Sequence, residues 1–214
     1  MLNENTQTLI QSLRRDNIEI NLAYEATVEG FVRALEMREG EPIGHTHQVT
    51  EITVRLAKVV GVDEEALPHL RRGALLHDIG KLGVPESILH KSGPLTDEEW
   101  RVIRTHPQIA YDLLFPIVYL HASLDIPYYH HEKWDGSGYP QGVKGNQIPL
   151  AARIFAVVDV WDALTSDRPF RKAWSDDQAS SYLREQAGSR FDAGIVNFFL
   201  NAEIKRKVTR ALIK

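Results

Sequence analysis

Cysteine is absent from this sequence of 214 residues. Its absence excludes disulfides and thiolate metal sites, so any metal must be held by imidazole and carboxylate groups. Long apolar runs are missing too: no stretch reaches the roughly 18 apolar residues that span a membrane, and residues 1–15 lack the apolar core of a signal peptide. These absences predict a cytoplasmic protein without a membrane span.

The sequence also lacks a strong excess of either charge. Its formal net charge is −4 and its isoelectric point is near 6.1. Binding duplex nucleic acid through many phosphate contacts needs more positive charge, so that class of partner is excluded, whereas local cations could still bind a small anionic ligand. With 43% hydrophobic residues the chain can bury one sizeable core, which predicts one main domain.

An N-terminal segment carries apolar or neutral residues in a three-four rhythm, which predicts a long helix with a pairing face. One interpretation is parallel pairing into a homodimer, with Asn17 setting the register; the alternative is an ordinary amphipathic helix that folds back on the domain. Residues 1–30 are predicted to be a signalling helix that follows an upstream sensory domain, and residues 31–214 the main domain. We call these positions the α1 seam: Ile10, Leu13, Asn17, Ile20, Tyr24, Thr27 and Phe31.

A His-Asp pair, His77 and Asp78, ends an apolar segment that is predicted to be helical over residues 70–79. A carboxylate on such a helix is costly unless a cation pairs with it, and a metal ion would do so. The pair alone is a weak signal in a chain with 9 histidines. Lys81 follows closely and places a cation near the pair, although a solvated lysine at a helix end is the alternative.

Further candidate ligands are spread along the chain. Glu41 and His45 lie four residues apart where a new helix is predicted to begin, so both could face one site. His106 precedes a proline and is predicted to end a helix, after which residues 111–124 resume helical periodicity with a kink or stop at Pro116. Asp159 lies among valines, where metal binding or pairing with Arg153 would explain its burial. Adjacent histidines that can converge on one ion are His130 and His131.

Residues 133–142, which follow the two histidines, are too rich in glycine and proline to be helical. The glycines are not arranged as G-x-G-x-x-G after a strand, which excludes a dinucleotide-binding loop. The segment is therefore predicted to be a loop beside the candidate ligands.

Three motifs follow one another along the sequence: His-Asp-Ile-Gly-Lys at 77–81, His-His-Glu-x-x-Asp-Gly-x-Gly-Tyr-Pro at 130–140, and Asp-Ala-Leu-Thr-Ser-Asp-Arg-Pro-Phe-Arg at 162–171. With them, residues 23–200 resemble the HD-GYP family, bacterial phosphodiesterases of cyclic di-GMP and a branch of the HD phosphohydrolases. The resemblance implies an all-α bundle of five core HD helices with additional helices and a Gly-Tyr-Pro loop. It also implies two or three divalent metals, usually iron or manganese.

The resemblance also implies roles for individual residues. Asp78 and Lys81 are expected to be catalytic, with Asp78 bridging two metals and Lys81 contacting the reacting phosphate. Glu41 matches a glutamate of relatives with a third metal, and Gln48 departs from a common arginine without removing a ligand. The first metal is expected on His45, His77, Asp78 and Asp159. The second is expected on His106, His130 and His131. The substrate contacts are expected to be Lys81, Tyr139, Arg168 and Arg171.

The expected reaction is hydrolysis of cyclic di-GMP by a hydroxide held between the metals, which attacks phosphorus in line. The linear dinucleotide is the expected product, with GMP following where the second bond is also cut. Two alternatives stay open: a module that binds cyclic di-GMP without turnover, and an HD phosphohydrolase of another nucleotide.

Overall fold

The computed structural model describes residues 4–40, 44–167 and 171–201. The regular secondary structure of these residues is helical apart from an isolated bridge between Ala187 and Phe191, which confirms the all-α class. None of the described helices has both the length and the apolar character needed to cross a bilayer.

The α-helices are α1 Glu4–Glu39, α2 His45–Val60, α3 Leu67–Leu75, α4 Glu86–Leu89, α5 Asp97–Ile103, α6 His106–Leu114, α7 Asp125–Tyr129, α8 Leu150–Thr165, α9 Asp176–Glu185 and α10 Ala193–Leu200. The 3₁₀ helices are Ile79–Gly83, Val118–Ser123 and Gly145–Gln147.

Helix α1 has an exposed first half and a buried second half. Leu13 and Ile20, two residues of the α1 seam, are 59% and 54% exposed, whereas Val28, Val32 and Leu35 are buried. The fold-back alternative is therefore wrong for the first half of α1. Helix α1 runs through residue 30 without a break.

Polar contacts tie the second half of α1 to the bundle. Glu25 accepts hydrogen bonds from the Arg72 guanidinium at 2.6 Å and the Tyr119 hydroxyl at 3.0 Å. Near the helix end, Arg38 donates to the backbone carbonyls of Leu82 at 2.6 Å and Val84 at 2.5 Å. Helix α1 is thus fastened directly to the segment that follows His77 and Asp78.

The buried apolar residues form two clusters. One joins α2, α3, α8, α9 and α10 around Trp161, Phe155 and Phe199. The other joins α1 to α6 and to the end of α3, and it includes Leu76 and Ile79. His77 and Asp78 lie in sequence between these last two residues, and the His77 ring contacts Phe155 of the first cluster at a centroid distance of 4.7 Å. The candidate site therefore lies between two rigid hydrophobic clusters.

The predicted helix over residues 70–79 ends early, because α3 stops at Leu75 and a 3₁₀ helix begins at Ile79. The His77 ring takes the Ala74 carbonyl as its hydrogen-bond acceptor at 2.8 Å. Gly80 then passes very close to α6: a Cβ atom there would lie 1.8 Å from the His106 carbonyl oxygen. Only glycine permits this approach, which brings Asp78 beside His106.

The prediction that a helix ends at His106 is wrong, because α6 begins at that residue. Pro107 occupies the first turn, where its missing N–H costs no helical hydrogen bond and its fixed φ favours the helix. The stop expected near Pro116 is confirmed: α6 ends at Leu114, and a 3₁₀ helix follows after Pro116. A proline inside the periodic stretch explains the interruption.

Candidate metal centre

Four potential metal ligands converge between the clusters: Asp78, His106, His130 and His131 each offer an atom, and all four atoms lie within 4.8 Å of one another. We call these residues the four-ligand cluster. Asp78 Oδ1 lies 3.3 Å from His106 Nε2 and 3.7 Å from His130 Nε2, and the two imidazole nitrogens are 3.4 Å apart. The turn after α3, the start of α6 and the end of α7 therefore meet at one point.

Backbone hydrogen bonds fix the tautomers of three histidines. The Nδ1 atoms of His77, His106 and His130 lie 2.7 to 2.9 Å from the carbonyls of residues 74, 103 and 126. A carbonyl can only accept, so each Nδ1 carries a proton, and this leaves the Nε2 atoms of His106 and His130 as the ones that can bind a metal through a lone pair. Such an outer hydrogen bond is typical of metal-binding histidines.

The facing atoms of the four-ligand cluster are therefore acceptors without a shared proton. Asp78 Oδ1 is buried and has no hydrogen-bond partner, and it faces the Nε2 lone pairs of His106 and His130. A buried group of acceptors is costly unless a cation joins them. Imidazole and carboxylate suit divalent first-row metals, so the residues present fit a metal ion.

His77 lies on the other side of the Asp78 carboxylate, with its Nε2 atom 3.1 Å from Asp78 Oδ2. Burial by itself would lower the pKa of His77, but the carboxylates of Asp78 and Asp159 raise it to about 9. Burial lowers the pKa of His106 to about 4, against the opposing effect of Asp78. Oδ1 of Asp78 thus faces His106 and His130, while Oδ2 faces His77, so one carboxylate joins two groups of histidines.

Lys81 is not a solvated lysine. Its Nζ atom lies 2.7 Å from Asp78 Oδ2 and 2.8 Å from Glu39 Oε1, at the end of α1. Burial would lower the pKa of Lys81, but Asp78 and Glu39 raise it above its ordinary value, so the ammonium stays charged. Two of its three N–H donors have acceptors, which leaves one for a further ligand.

The glycine-rich loop folds against the histidine pair through Glu132. Its Oε1 atom accepts hydrogen bonds from the backbone N–H groups of Gln141 at 2.6 Å and Gly142 at 3.0 Å. A Cβ atom at Gly138 would lie 2.3 Å from the backbone nitrogen of Lys133, so the loop requires glycine at this position. Glu132 is buried, and it holds the loop beside the four-ligand cluster.

A cavity of about 370 Å³ opens beside the cluster. Its wall combines metal-type ligands with three cations, Arg104, Lys133 and Arg190, so it suits a ligand that carries negative charge. Asp159 belongs to the lining. The alternative pairing of Asp159 with Arg153 is not observed, because Arg153 pairs with Asp192 at 2.8 Å. The remaining lining residues are Trp100, His130, His131, Glu132, Tyr139, Ala156, Val160 and Phe191.

The other predicted site residues lie in different surroundings. His45 Nε2 lies 3.3 Å from Asp162 Oδ2, so His45 is not one of the four clustered ligands. Arg171 donates to the Ala163 carbonyl near the end of α8, and its guanidinium lies 5.6 Å from the Trp174 ring centroid. Glu41 and Arg168 lie outside the described residues.

Sequence reasoning assigned no site role to Glu39, Asp162 or Arg104. Glu39 is far from Lys81 in sequence, so only the return of α1 to the bundle brings the two together. Asp162 stands at the start of the third motif, one helical turn after Asp159, and this spacing could have indicated a shared face.

Comparisons with known proteins agree with this geometry. The HD domain family matches residues 30–195. The cyclic di-GMP phosphodiesterase response regulator RpfG of Xanthomonas campestris is 38% identical over 195 residues, which cover 90% of this chain and 52% of the relative. The 3'3'-cGAMP-specific phosphodiesterase 2 of Vibrio cholerae is 34% identical over 185 residues, covering 86% of this chain and 35% of the relative. This chain therefore spans about half or less of these relatives.

A similar fold is found among solved structures. The crystal structure of the cyclic GMP-AMP specific phosphodiesterase V-cGAP3 of V. cholerae aligns with a TM-score of 0.63 and 18% identity, covering 85% of this chain and 50% of that one. At this identity the likeness shows the fold. Because the family match spans more than half of the sequence and carries the three motifs, the protein belongs to the HD domain family, in its HD-GYP branch.

Proposed function

We propose that this protein hydrolyses the phosphodiester bonds of cyclic di-GMP in a metal-dependent reaction. The observation that carries the proposal is the four-ligand cluster beside a cavity with three cations in its wall. Relatives named cyclic di-GMP phosphodiesterase, from X. campestris and Thermotoga maritima at 38% and 37% identity, support this substrate. The proposed product is the linear dinucleotide, with GMP where the second bond is also cut.

The proposed metals are two or three divalent ions, iron or manganese. When bound, such ions lower the pKa of a water and withdraw charge from the phosphate. The two oxygens of Asp78 face different histidines, which supports its role as the bridge. The third ion would depend on Glu41, so the metal content of a Glu41→Ala variant tests that part. The proposed ligands are His45, His77, Asp78 and Asp159 for one ion and His106, His130 and His131 for the other.

Lys81 is the proposed cation for the phosphoryl oxygens. Asp78 and Glu39 hold its ammonium group in place, and its remaining N–H can donate to an oxygen whose charge grows in the transition state. Because the ammonium is already oriented, little reorganisation is needed during the reaction. The proposed contacts of Tyr139, Arg168 and Arg171 with the substrate stay predictions.

Product analysis tests the function. Metal-loaded protein is incubated with cyclic di-GMP, and the linear dinucleotide is sought by chromatography, with chelator-treated protein as the control. Intact cyclic di-GMP recovered from a tight complex would favour the binding-module alternative. No binding and no turnover, with hydrolysis of a different nucleotide, would favour the other alternative. A parallel incubation with 3'3'-cGAMP tests the substrate named for the V. cholerae relative.

We also propose that the first half of the α1 seam pairs with a second copy of the chain, whereas Tyr24 stacks on Tyr119 and Phe31 packs against the second cluster. Seam residues Ile20 and Leu13 are exposed, and a parallel partner would bury them. Light scattering should show a dimer at high protein concentration that Ile20→Asp converts to a monomer. Ile18→Asp is the matched control, because Ile18 is 59% exposed but lies off the seam. A monomer at every concentration would contradict the pairing.

The division of the chain at residue 30, a cytoplasmic location and an upstream sensory domain stay predictions. A sensory domain would act through α1, because this helix contacts both the segment after Asp78 and Lys81 itself. If so, deletion of residues 1–22 should leave the α1 contacts of Glu25, Arg38 and Glu39 in place, and the melting temperature of the shortened chain tests this.

A further inference from the structure

A series of flat side chains leads from the surface to the four-ligand cluster. The Arg104 guanidinium carbon lies 5.9 Å from the Trp100 ring centroid and 5.6 Å from the Tyr139 ring centroid. The Tyr139 ring in turn contacts His131 at 4.8 Å with an interplanar angle of 30°, and the His131 ring lies 4.0 Å from His130. Aromatic and cationic groups thus continue from solvent to the ligands.

The outer part of this series is held by well-formed local structure. Helix α5 begins at a capping box in which Thr96 and Glu99 satisfy each other's backbone N–H groups, and Lys91 pairs with Glu99 at 2.6 Å. Trp100 is in α5 and Arg104 is its C-cap residue, so both side chains start from a defined helix. Tyr139 comes from the loop that Glu132 holds, so the wall joins two separately anchored elements.

The Arg104 guanidinium of this wall has no ion-pair partner among the described residues. No carboxylate of residues 4–40, 44–167 and 171–201 pairs with Arg104, in contrast to Arg72 and Arg153, which are bound to Glu25 and Asp192. The Trp100 side chain is 44% exposed although it lines the cavity. An unpaired guanidinium between two aromatic rings is therefore available to a ligand.

We propose that Trp100, Arg104 and Tyr139 form the subsite for a purine base of the cyclic dinucleotide. This inference rests on the proposed function. Aromatic rings and the guanidinium plane stack on nucleobases, and arginine can also donate two hydrogen bonds to the O6 and N7 acceptors of guanine. A phosphate at the four-ligand cluster would place an attached nucleoside along the wall, because His130, His131, Tyr139, Arg104 and Trp100 line one cavity.

The test compares the effect of each variant on two phosphodiester substrates, of which one has a nucleobase and the other has none. For cyclic di-GMP and bis(p-nitrophenyl) phosphate, kcat/KM is measured with Arg104→Ala, Trp100→Ala and a control, Arg101→Ala. Arg101 is in the same helix, is 74% exposed in its side chain and pairs with the surface residue Glu98 at 3.4 Å. Arg104→Ala and Trp100→Ala should lower kcat/KM for cyclic di-GMP at least about tenfold more than for the base-free diester, and Arg101→Ala should change neither.

Two further measurements separate the possible failures. Arg104→Lys keeps the charge but loses the planar group, so full activity toward cyclic di-GMP in this variant would overturn base recognition in favour of simple charge attraction. Equal losses on both substrates, or none, would also overturn it. Calorimetry of metal-loaded protein with GMP and with ribose 5-phosphate works without turnover. If cyclic di-GMP is not hydrolysed, tighter binding of GMP that Arg104→Ala removes would still support the subsite, and equal binding of both ligands would reject it.

Discussion

Asp78→Asn is expected to reduce the hydrolysis of cyclic di-GMP by about a thousandfold or more and to release metal. The variant keeps the size of the side chain but removes the negative charge that faces His106 and His130 through one oxygen and His77 and Lys81 through the other. Without this carboxylate, the two groups of histidines lose the ligand that joins them.

Elemental analysis after anaerobic purification checks the metal part of this prediction. The unmodified chain should contain at least two metal ions, since the seven predicted histidine and aspartate ligands exceed what one ion takes, and Asp78→Asn should contain fewer. Asp112→Asn is the matched control, because Asp112 is exposed on α6 and accepts a hydrogen bond from Gln108 at 2.9 Å. Unchanged turnover in Asp78→Asn, or one metal or fewer in the unmodified chain, would contradict the metal assignment.

Lys81→Ala is expected to lower kcat roughly a hundredfold, about 3 kcal/mol of transition-state stabilisation, while the metals stay bound. Lys81 is no metal ligand, so its loss leaves the acceptor atoms of the four-ligand cluster in place. Its ammonium has a free donor for a phosphoryl oxygen, and this contact strengthens as negative charge develops there.

Steady-state kinetics together with elemental analysis check this second prediction, with Lys58→Ala as the control. Lys58 is 51% exposed in its side chain, pairs with Glu64 at 3.2 Å near the end of α2 and lies outside the cavity lining, so its replacement should leave kcat unchanged. Loss of metal in Lys81→Ala would mean that the lysine supports the site by offsetting the charge of Asp78 and Glu39. An unchanged kcat with full metal content would exclude a role in the reaction.

Much of the helical framework could be predicted from the sequence. The helix over residues 45–60 begins where the sequence predicts a new helix, and Gly44 and Gly61 at its ends adopt the positive φ angles that glycine favours. The capping box of Thr96 and Glu99 follows from the Thr-x-x-Glu pattern in the sequence. These features depend on neighbours within four residues, so local sequence determines them.

Predictions of helix ends from neighbouring residues were wrong where the chain packs against segments distant in sequence. The helix before His77 ends at Leu75 because the His77 ring bonds the Ala74 carbonyl and Gly80 must approach α6. The proline after His106 starts a helix instead of ending one. Both deviations lie at the four-ligand cluster, where the position of the ligands outweighs the regularity of the helices.

By itself the sequence determined the kind of chemistry: no cysteine, histidines and carboxylates as the available metal ligands, and motifs whose order indicates the HD-GYP branch. Only the tertiary structure decided which atoms meet. Each carboxylate oxygen of Asp78 faces a histidine, and Arg104 lies between Trp100 and Tyr139. Lys81 pairs with Glu39, which is the last residue of α1. These contacts join segments up to 52 residues apart, as between Asp78 and His130. They depend on two hydrophobic clusters that orient the helices, and no periodicity within one helix encodes that orientation.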